Sequence, residues 1–359
     1  MTADAPFQPE TPALVLDEAV ALANIARFQA HCDRLGLKSR PHIKTHKLPR
    51  FAKAQIEAGA RGITCQKIGE AEVMADAGID DILITFNILG EAKLARLKAL
   101  AGRIARLAVV ADSQTTVDGL AAAFADGAAT LHVMVECDTG AGRCGVQTPE
   151  EAADLAARIA AAPGLVFAGL MTYPAPGKAG NVERFMGEAL GLLAARGIEC
   201  PEISSGGSPD MWHAGEAEGG SRNLVTEYRA GTYIYNDRSL VERGACALDD
   251  CALTVHATVV SRPTPTRAVL DAGSKALSSD LLGLTGHGTI IGHPDAHIAA
   301  LSEEHAVVDI PAGSLAVGDR VRIVPNHCCV VTNLFDSAWL LGADGGVQQI
   351  DIAARGRMT

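Results

Sequence analysis

A chain of 359 residues, 48% of them hydrophobic and only 4% aromatic, can bury a large core and divide into more than one domain. Its 42 acidic and 31 basic side chains leave a formal charge of −11, which disfavours nucleic acid or anionic membrane as the main partner and points to small-molecule ligands. No stretch reaches the roughly 18 uninterrupted apolar residues of a membrane span, the N-terminus has no basic-then-apolar leader, and nine cysteines without framework spacing suit a reducing compartment, so a cytoplasmic protein is expected.

From Thr11 onward, short apolar β-like runs alternate with Ala-rich amphipathic helices. In chain order the predicted pairs are strand 13–16 with helix 17–35, strand 39–42 with helix 49–58, strand 62–65 with helix 68–76, and strand 81–85 with helix 91–100. Strand 107–110 with helix 113–126, strand 131–135 with helix 149–161, strand 166–170 with helix 182–197, and a last strand at 202–204 continue the series. This uninterrupted βα rhythm predicts an α/β fold, a closed (β/α)8 TIM-like barrel over residues 17–243. Beyond Gly244 the pattern changes to β runs at 252–261, 267–270, 305–309, 320–325, 328–334 and 337–341, separated by turns such as Ala343-Asp344-Gly345-Gly346. A second, all-β domain is expected from residues 244–359 together with 1–16, since the run 11–16 offers it an extra strand.

Several loops at predicted strand ends carry chemistry. In Pro41-His42-Ile43-Lys44-Thr45-His46-Lys47 one lysine stands among cationic and apolar neighbours. An amine becomes nucleophilic when adjacent positive charge or partial burial lowers its pKa, so Lys44 is the candidate to condense with a carbonyl group; a basic turn capping a strand reads the same in isolation. Ser204-Ser205-Gly206-Gly207-Ser208 resembles a phosphate cradle, with glycines that turn backbone N–H groups toward an anion and hydroxyls that add donors. Glu227-Tyr228-Arg229-Ala230-Gly231-Thr232-Tyr233 offers a second glycine turn for the same phosphate.

The loop 136–145 presents Arg143 between glycines, either to a phenolate or carboxylate oxygen or simply to solvent. Tyr173 ends an apolar strand as a ring contact or a barrel-mouth core residue. In Val324-Pro325-Asn326-His327-Cys328-Cys329, an extended strand would point His327 and Cys329 to one face. That pair offers imidazole and thiolate to a divalent ion, Zn²⁺ above all, or is a satisfied histidine beside two core thiols.

Arg40 to Lys47, Asp138-Thr139-Gly140 with Arg143, Ser205-Gly206-Gly207-Ser208, Asp271-Ala272-Gly273-Ser274-Lys275-Ala276 and Pro325-Asn326-His327-Cys328-Cys329 together resemble the D-threonine aldolase and D-serine dehydratase family. This is the alanine-racemase-like class of pyridoxal-phosphate enzymes. The resemblance spans most of the chain and implies a cofactor-carrying α/β barrel, a β domain built from both chain ends, and a homodimer. It makes Lys44 the catalytic residue and covalent anchor of pyridoxal 5'-phosphate and Arg143 the contact to the phenolic oxygen. Tyr173 is a contact to the ring, and Ser205, Gly206, Gly207 and Ser208 with Gly231, Thr232 and Tyr233 hold the phosphate. His327 and Cys329 become ligands of a divalent metal, zinc or alternatively manganese or magnesium. The implied substrate is a D-3-hydroxy amino acid, cleaved to glycine and an aldehyde or, alternatively, dehydrated to a 2-oxo acid and ammonia. Cys65-Gln66-Lys67 with Glu70-Ala71-Glu72, and the closing Ala353-Ala354-Arg355-Gly356-Arg357, resemble the aldolase branch; His327-x-Cys329 is more like the zinc dehydratases. Racemisation, which needs no metal pair, is the third reading.

Overall fold

The computed structural model describes residues 7–214 and 224–359; residues 1–6 of the expected β domain and 215–223 of the expected barrel lie outside them. The chain divides into two compact units, residues 1–24 with 232–355 and residues 25–231 with 356–359. Strand β1 (Ala13–Asp17) belongs to the first of these, and helix α1 (Glu18–Leu35) contains the division.

The barrel unit then runs β2 (Lys38–Ser39), α2 (Pro49–Glu57), β3 (Ile63–Cys65), α3 (Ile68–Asp76), β4 (Asp81–Ile84), α4 (Glu91–Ala101), β5 (Arg106–Ala111) and α5 (Gln114–Phe124). It continues through β6 (Leu131–Cys137), α6 (Pro149–Ala161), β7 (Leu165–Thr172), α7 (Ala179–Ala195), β8 (Ile203–Ser205) and β9 (Glu227–Tyr228). Eight strands stand side by side in the order β2-β9-β8-β7-β6-β5-β4-β3, every pair parallel. The residues just after β2 close the ring. Thr64 N–H donates to Pro41 O at 2.7 Å and Ile43 N–H to Thr64 O at 2.9 Å on one side, while His42 N–H donates to Ala230 O at 2.9 Å on the other. Pro41 has no N–H to give, which interrupts the ladder and leaves β2 short. The expected closed barrel is therefore present.

Parallel strands buried on both faces read as near-continuous apolar runs, as in Arg106-Leu107-Ala108-Val109-Val110-Ala111 of β5. Leu83, Ala108, Val110, Met134, Ala168 and Met171, contributed by β4 to β7, form one buried cluster. Helix starts carry their own signals. Ser113 caps α5 through the Thr116 N–H, and Thr148 with Glu151 makes a capping box on α6, whose first residue is Pro149.

The other unit holds α8 (Arg238–Glu242), β10 (Leu253–Thr264), β11 (Arg267–Leu270), α9 (Ser274–Leu277), β12 (Thr289–Ile290) and β13 (His297–Leu301). They are followed by β14 (Ala306–Asp309), β15 (Arg320–Val324), α10 (Cys328–Leu334), β16 (Ser337–Leu341) and β17 (Val347–Asp351). Strands β11, β14, β13, β12 and β15 run in that spatial order, and β10 pairs with both ends of the run, so these strands close into a small antiparallel barrel. From β10 the sheet extends through β1, antiparallel, to β16 and β17. Residues 13–16 of the run 11–16 lie in β1, which pairs with β10 and β16. No described helix is long and apolar enough to cross a membrane.

Five elements differ from expectation in this way. Residues 328–334, predicted as a strand, form helix α10, which buries Cys328, Val331 and Thr332 at helical spacing. The Cys328 N–H donates to Asp237 Oδ2 at 3.1 Å, giving the helix start an acceptor that the local sequence does not contain. Strand β9 was expected only as a glycine turn, because a strand of two residues, one of them glutamate, carries no apolar run. Strands β12 and β13 give no strand signal for similar reasons of length and alanine content, and β17 gives none because it is largely exposed.

Candidate active site

The candidate cofactor-binding residues stand at or just after the C-terminal ends of five barrel strands, β2, β6, β7, β8 and β9, the face on which parallel barrels build their sites. After β2, the segment 43–47 turns back on itself, with the Lys47 N–H donating to Ile43 O at 2.8 Å. Lys44 is half-buried at its centre, and Ile43 and Thr45 on either side are buried.

The environment of Lys44 corrects the expectation of cationic neighbours. Gln66 Nε2 donates to Thr85 O at 2.9 Å, which leaves Gln66 Oε1 facing His42 Nε2 at 3.1 Å. Nε2 therefore carries the hydrogen, and Nδ1 accepts the Lys44 backbone N–H at 3.3 Å. Burial first, and Lys44 itself second, push His42 well below its usual range, so the ring stays neutral. Lys47 is ion-paired at 2.5 Å with Glu70, whose other oxygen accepts the Gln66 N–H at 2.7 Å. His46 accepts the Leu48 N–H on Nδ1 at 3.1 Å and meets Gln55 Oε1 through Nε2 at 3.3 Å. His42 is thus neutral and Lys47 paired, and partial burial is the expected feature that remains.

The glycine loops adjoin this segment. Gly206 has φ +151°, and a Cβ there would lie 2.2 Å from Arg229 O and 2.5 Å from Arg229 N, so only glycine lets the loop after β8 run against the backbone after β9. Ser208 Oγ accepts the Gly231 N–H at 3.2 Å. A Cβ on Gly231 would come to 3.1 Å from His42 Cβ, His42 O and Thr45 Oγ1. The segments 41–47, 205–208 and 231 therefore form one surface, lined by backbone and by the buried hydroxyls of Ser205 and Ser208. Such neutral donors suit a phosphate. Thr232 and Tyr233, which follow Gly231, form a 3-10 turn, Thr232–Ile234, in the other unit.

Arg143 and Tyr173 stand together. The guanidinium carbon lies 4.8 Å from the ring centroid, and the ring borders Gly207, where a Cβ would be 3.4 Å from Tyr173 Cε2. Asp138 shapes the arginine loop by accepting the Gly140 N–H at 2.8 Å, and Thr139 Oγ1 meets Thr172 Oγ1 at 2.8 Å.

The barrel unit also holds a chain of buried polar groups that no sequence motif marks. Arg229 donates to Thr172 O at 2.6 Å and to Ser204 Oγ at 2.9 Å, and burial lowers its pKa. Ser204 in turn donates to Glu227 at 2.7 Å, and Glu227 accepts from Arg40 at 2.6 Å. Arg40 also reaches Asp81 at 2.7 Å. Glu136, at the end of β6, is raised by burial, against the opposing pull of Arg229 and Arg143. The available signal is Glu227-x-Arg229, two charged residues of one strand parity just before the expected glycine turn.

In the β unit His327 is the residue before α10, with φ −139° and ψ 94°, and Cys329 is the second residue of the helix. The extended strand expected for the pair is thus replaced by a cap-and-helix geometry, with Cys329 two residues after His327 in the chain. His327 Nδ1 lies 2.7 Å from Asp280 Oδ2, and Thr232 Oγ1 is 3.6 Å from Cys329 Sγ. Burial opposes charge on the imidazole, but Cys329 and Asp280 outweigh it and hold the metal-free ring up at about 9. Asp237 fixes the helix start, taking the Cys328 N–H with one oxygen and the Ser239 hydroxyl and Leu240 N–H with the other. Among the described residues no group of three or more His, Cys, Asp or Glu is arranged to hold a metal ion.

Residues 17–239 match the family "Alanine racemase, N-terminal domain", and residues 252–341 match the family "Putative serine dehydratase domain". The chain is 36% identical to a D-threonine aldolase of Arthrobacter sp, covering 97% of this chain and 93% of that protein. It is 31% identical to the D-threo-3-hydroxyaspartate dehydratase of Delftia sp. (strain HT23), covering 94% and 96%. A cysteine-to-alanine variant of a D-threo-3-hydroxyaspartate dehydratase has been solved in a metal-free form, and this chain superimposes on it with a TM-score of 0.85 at 30% identity, over 96% of this chain and 97% of that one. The crystal structure of D-threonine aldolase from Filomicrobium marinum matches with a TM-score of 0.87 at 30% identity, over 99% of this chain and 100% of that one.

Proposed function

The chain belongs to the alanine-racemase-like, pyridoxal-phosphate-dependent family of D-threonine aldolases and D-serine or 3-hydroxyaspartate dehydratases, and on that premise we propose that it is a lyase cleaving D-3-hydroxy amino acids to glycine and an aldehyde. The observation that carries the choice of reaction is the full-length likeness to a D-threonine aldolase.

The residues fit the cofactor. A surface of bare glycine backbone and buried hydroxyls suits a phosphate, and a half-buried lysine adjoins it. Lys44 would hold pyridoxal 5'-phosphate covalently, Arg143 its phenolic oxygen and Tyr173 its ring. Ser205, Gly206, Gly207 and Ser208, with Gly231 and the Thr232 and Tyr233 that follow it, would hold the phosphate. When bound, the cofactor supplies an electron sink for the pair released as a bond at the substrate Cα breaks. His42, kept neutral by burial, holds the Lys44 backbone in place, and Glu70 absorbs the charge of Lys47. The Lys44 amine is then the group that exchanges a proton at Cα.

His327 and Cys329 fit a divalent metal, and an imidazole with a thiolate suits Zn²⁺ better than Mn²⁺ or Mg²⁺. Such an ion would lower the pKa of the substrate β-hydroxyl. The thiolate donor also favours a second reading, elimination to a 2-oxo acid and ammonia, in which the same hydroxyl leaves. A homodimer in the cytoplasm, as the resemblance and the composition lead one to expect, completes the proposal.

Lys44→Ala tests the cofactor assignment. Both turnover and the lysine-dependent visible absorption band are expected to vanish, and a variant that keeps the band at full height contradicts it. Chelation is expected to stop turnover while leaving that band in place; turnover that survives metal removal points instead to a racemase.

A further inference from the structure

We propose that Asp280 is the positioning residue of the metal pair, its carboxylate holding the His327 Nδ1 hydrogen so that Nε2 is the nitrogen committed to the ion. This rests on the reading of His327 and Cys329 as metal ligands and adds to it a residue 47 positions away in the chain, beyond the reach of any spacing argument. An ionised carboxylate only accepts hydrogen bonds, so the 2.7 Å contact between Asp280 Oδ2 and His327 Nδ1 places the hydrogen on Nδ1. That contact leaves the Nε2 lone pair as the ring's metal donor and fixes the plane in which it points.

Asp280 is itself held through both its side chain and its backbone. Asp280 Oδ1 accepts the Leu282 N–H at 3.2 Å, and the Asp280 N–H donates to Ser278 Oγ at 3.1 Å. The loop turns through two left-handed residues that are not glycine, Ser278 at φ +65° and Leu282 at φ +48°. A leucine keeps that conformation only where its surroundings enforce it, so this loop is set to present Asp280 rather than left to wander. On the opposite flank Asp237 anchors the start of α10, which leaves the His327 ring positioned from two directions.

The alternatives are a surface ion pair with no bearing on the metal, since the Asp280 side chain is 37% exposed, and an Asp280 that ligates the ion directly. Zinc affinity of the full-length protein, freed of metal and titrated in competition with a chromophoric chelator, separates them. Asp280→Ala is expected to weaken zinc binding by about 10- to 100-fold, the usual loss when a histidine ligand's outer partner is removed. Asp280→Asn, which keeps an acceptor for the Nδ1 hydrogen, is expected to lose less. The visible spectrum of the Co²⁺-loaded protein is expected to keep its sulfur-to-metal band and its ligand-field pattern in both variants. Wild-type zinc affinity in Asp280→Ala overturns the proposal, and so does a cobalt spectrum showing a changed ligand set. His327→Ala serves as the separate control: zinc affinity unchanged in that variant removes the metal reading itself, whereas its loss there with no loss in Asp280→Ala refutes only the role of Asp280. If Asp280→Ala does not fold, the same measurement on Asp280→Asn still decides, because unchanged affinity together with an unchanged zinc-binding pH profile contradicts a positioning role.

Discussion

Replacing Gly206 by alanine adds one methyl group at the tightest point of the phosphate-like surface. That Cβ would sit 2.2 Å from the Arg229 carbonyl oxygen and 2.5 Å from its nitrogen, whereas even a weak C–H···O contact keeps carbon and oxygen about 3.3 Å apart. The two backbones would have to separate by about 1 Å to restore such a contact, which strains the bond from the Arg229 N–H to Ser205 O, now 2.8 Å. A non-glycine residue at φ +151° adds strain of roughly 1–3 kcal/mol, and overpacking of this kind adds about 1–3 kcal/mol more. Binding of pyridoxal phosphate is expected to weaken by about 100-fold, equivalent to about 2.7 kcal/mol, as the loop moves away to relieve the clash. Gly207→Ala is the matched control, because its backbone is extended and its Cβ would meet Tyr173 at an ordinary 3.4 Å. The assay is a titration of metal-loaded, cofactor-free protein with pyridoxal phosphate, followed by visible absorbance, with thermal unfolding of the same samples. Wild-type affinity in Gly206→Ala, or equal losses in the two variants, refutes the reasoning.

Two further outcomes follow from buried charges. Glu70→Gln leaves the buried Lys47 ammonium without its counter-charge, and breaking a buried ion pair from one side is expected to cost about 3–5 kcal/mol in urea unfolding; a loss under about 1 kcal/mol contradicts the pairing. Asp81 and Glu227 are pushed up by burial, but Arg40 outweighs this and leaves both carboxyls below their usual values. Because their folded-state pKa values lie below the unfolded ones, the stabilisation they give is fully present above about pH 4.5 and lost as the pH falls through the folded values. Urea midpoints between pH 6 and pH 3 are expected to drop most steeply below pH 4.5, and Asp81→Asn to flatten part of that drop; a midpoint insensitive to pH in this range counts against the network.

The barrel was legible because its signal is local and repeated. The apolar runs of β4 to β7 are largely buried, the helices carry their own periodicity, and caps such as Thr148 with Glu151 mark the starts. Three of the misreadings involve partners distant in sequence. The run Cys328 to Leu334 has the β-branched character of a strand, but its helix start is held by Asp237, 91 residues earlier. Glu227 was invisible as a strand residue because its partner Arg40 lies 187 residues away. The charge around Lys44 was misjudged for the same reason: the chain shows a lysine and two histidines beside it, but not that Glu70 pairs with Lys47 or that Gln66 fixes a neutral His42. Sequence motifs named the groups around Lys44 well, whereas their protonation states depended on the folded neighbourhood.

The most direct test of the proposed lyase is the fate of the carbon skeleton of D-threonine. The cofactor- and metal-loaded protein is supplied with D-threonine, and acetaldehyde is measured by NADH oxidation through an alcohol dehydrogenase, with 2-oxobutanoate measured in parallel through a lactate dehydrogenase. Cleavage predicts acetaldehyde and glycine in equal amounts, no ammonia, and no product from L-threonine. Formation of 2-oxobutanoate and ammonia without glycine contradicts the proposed cleavage and establishes elimination in its place.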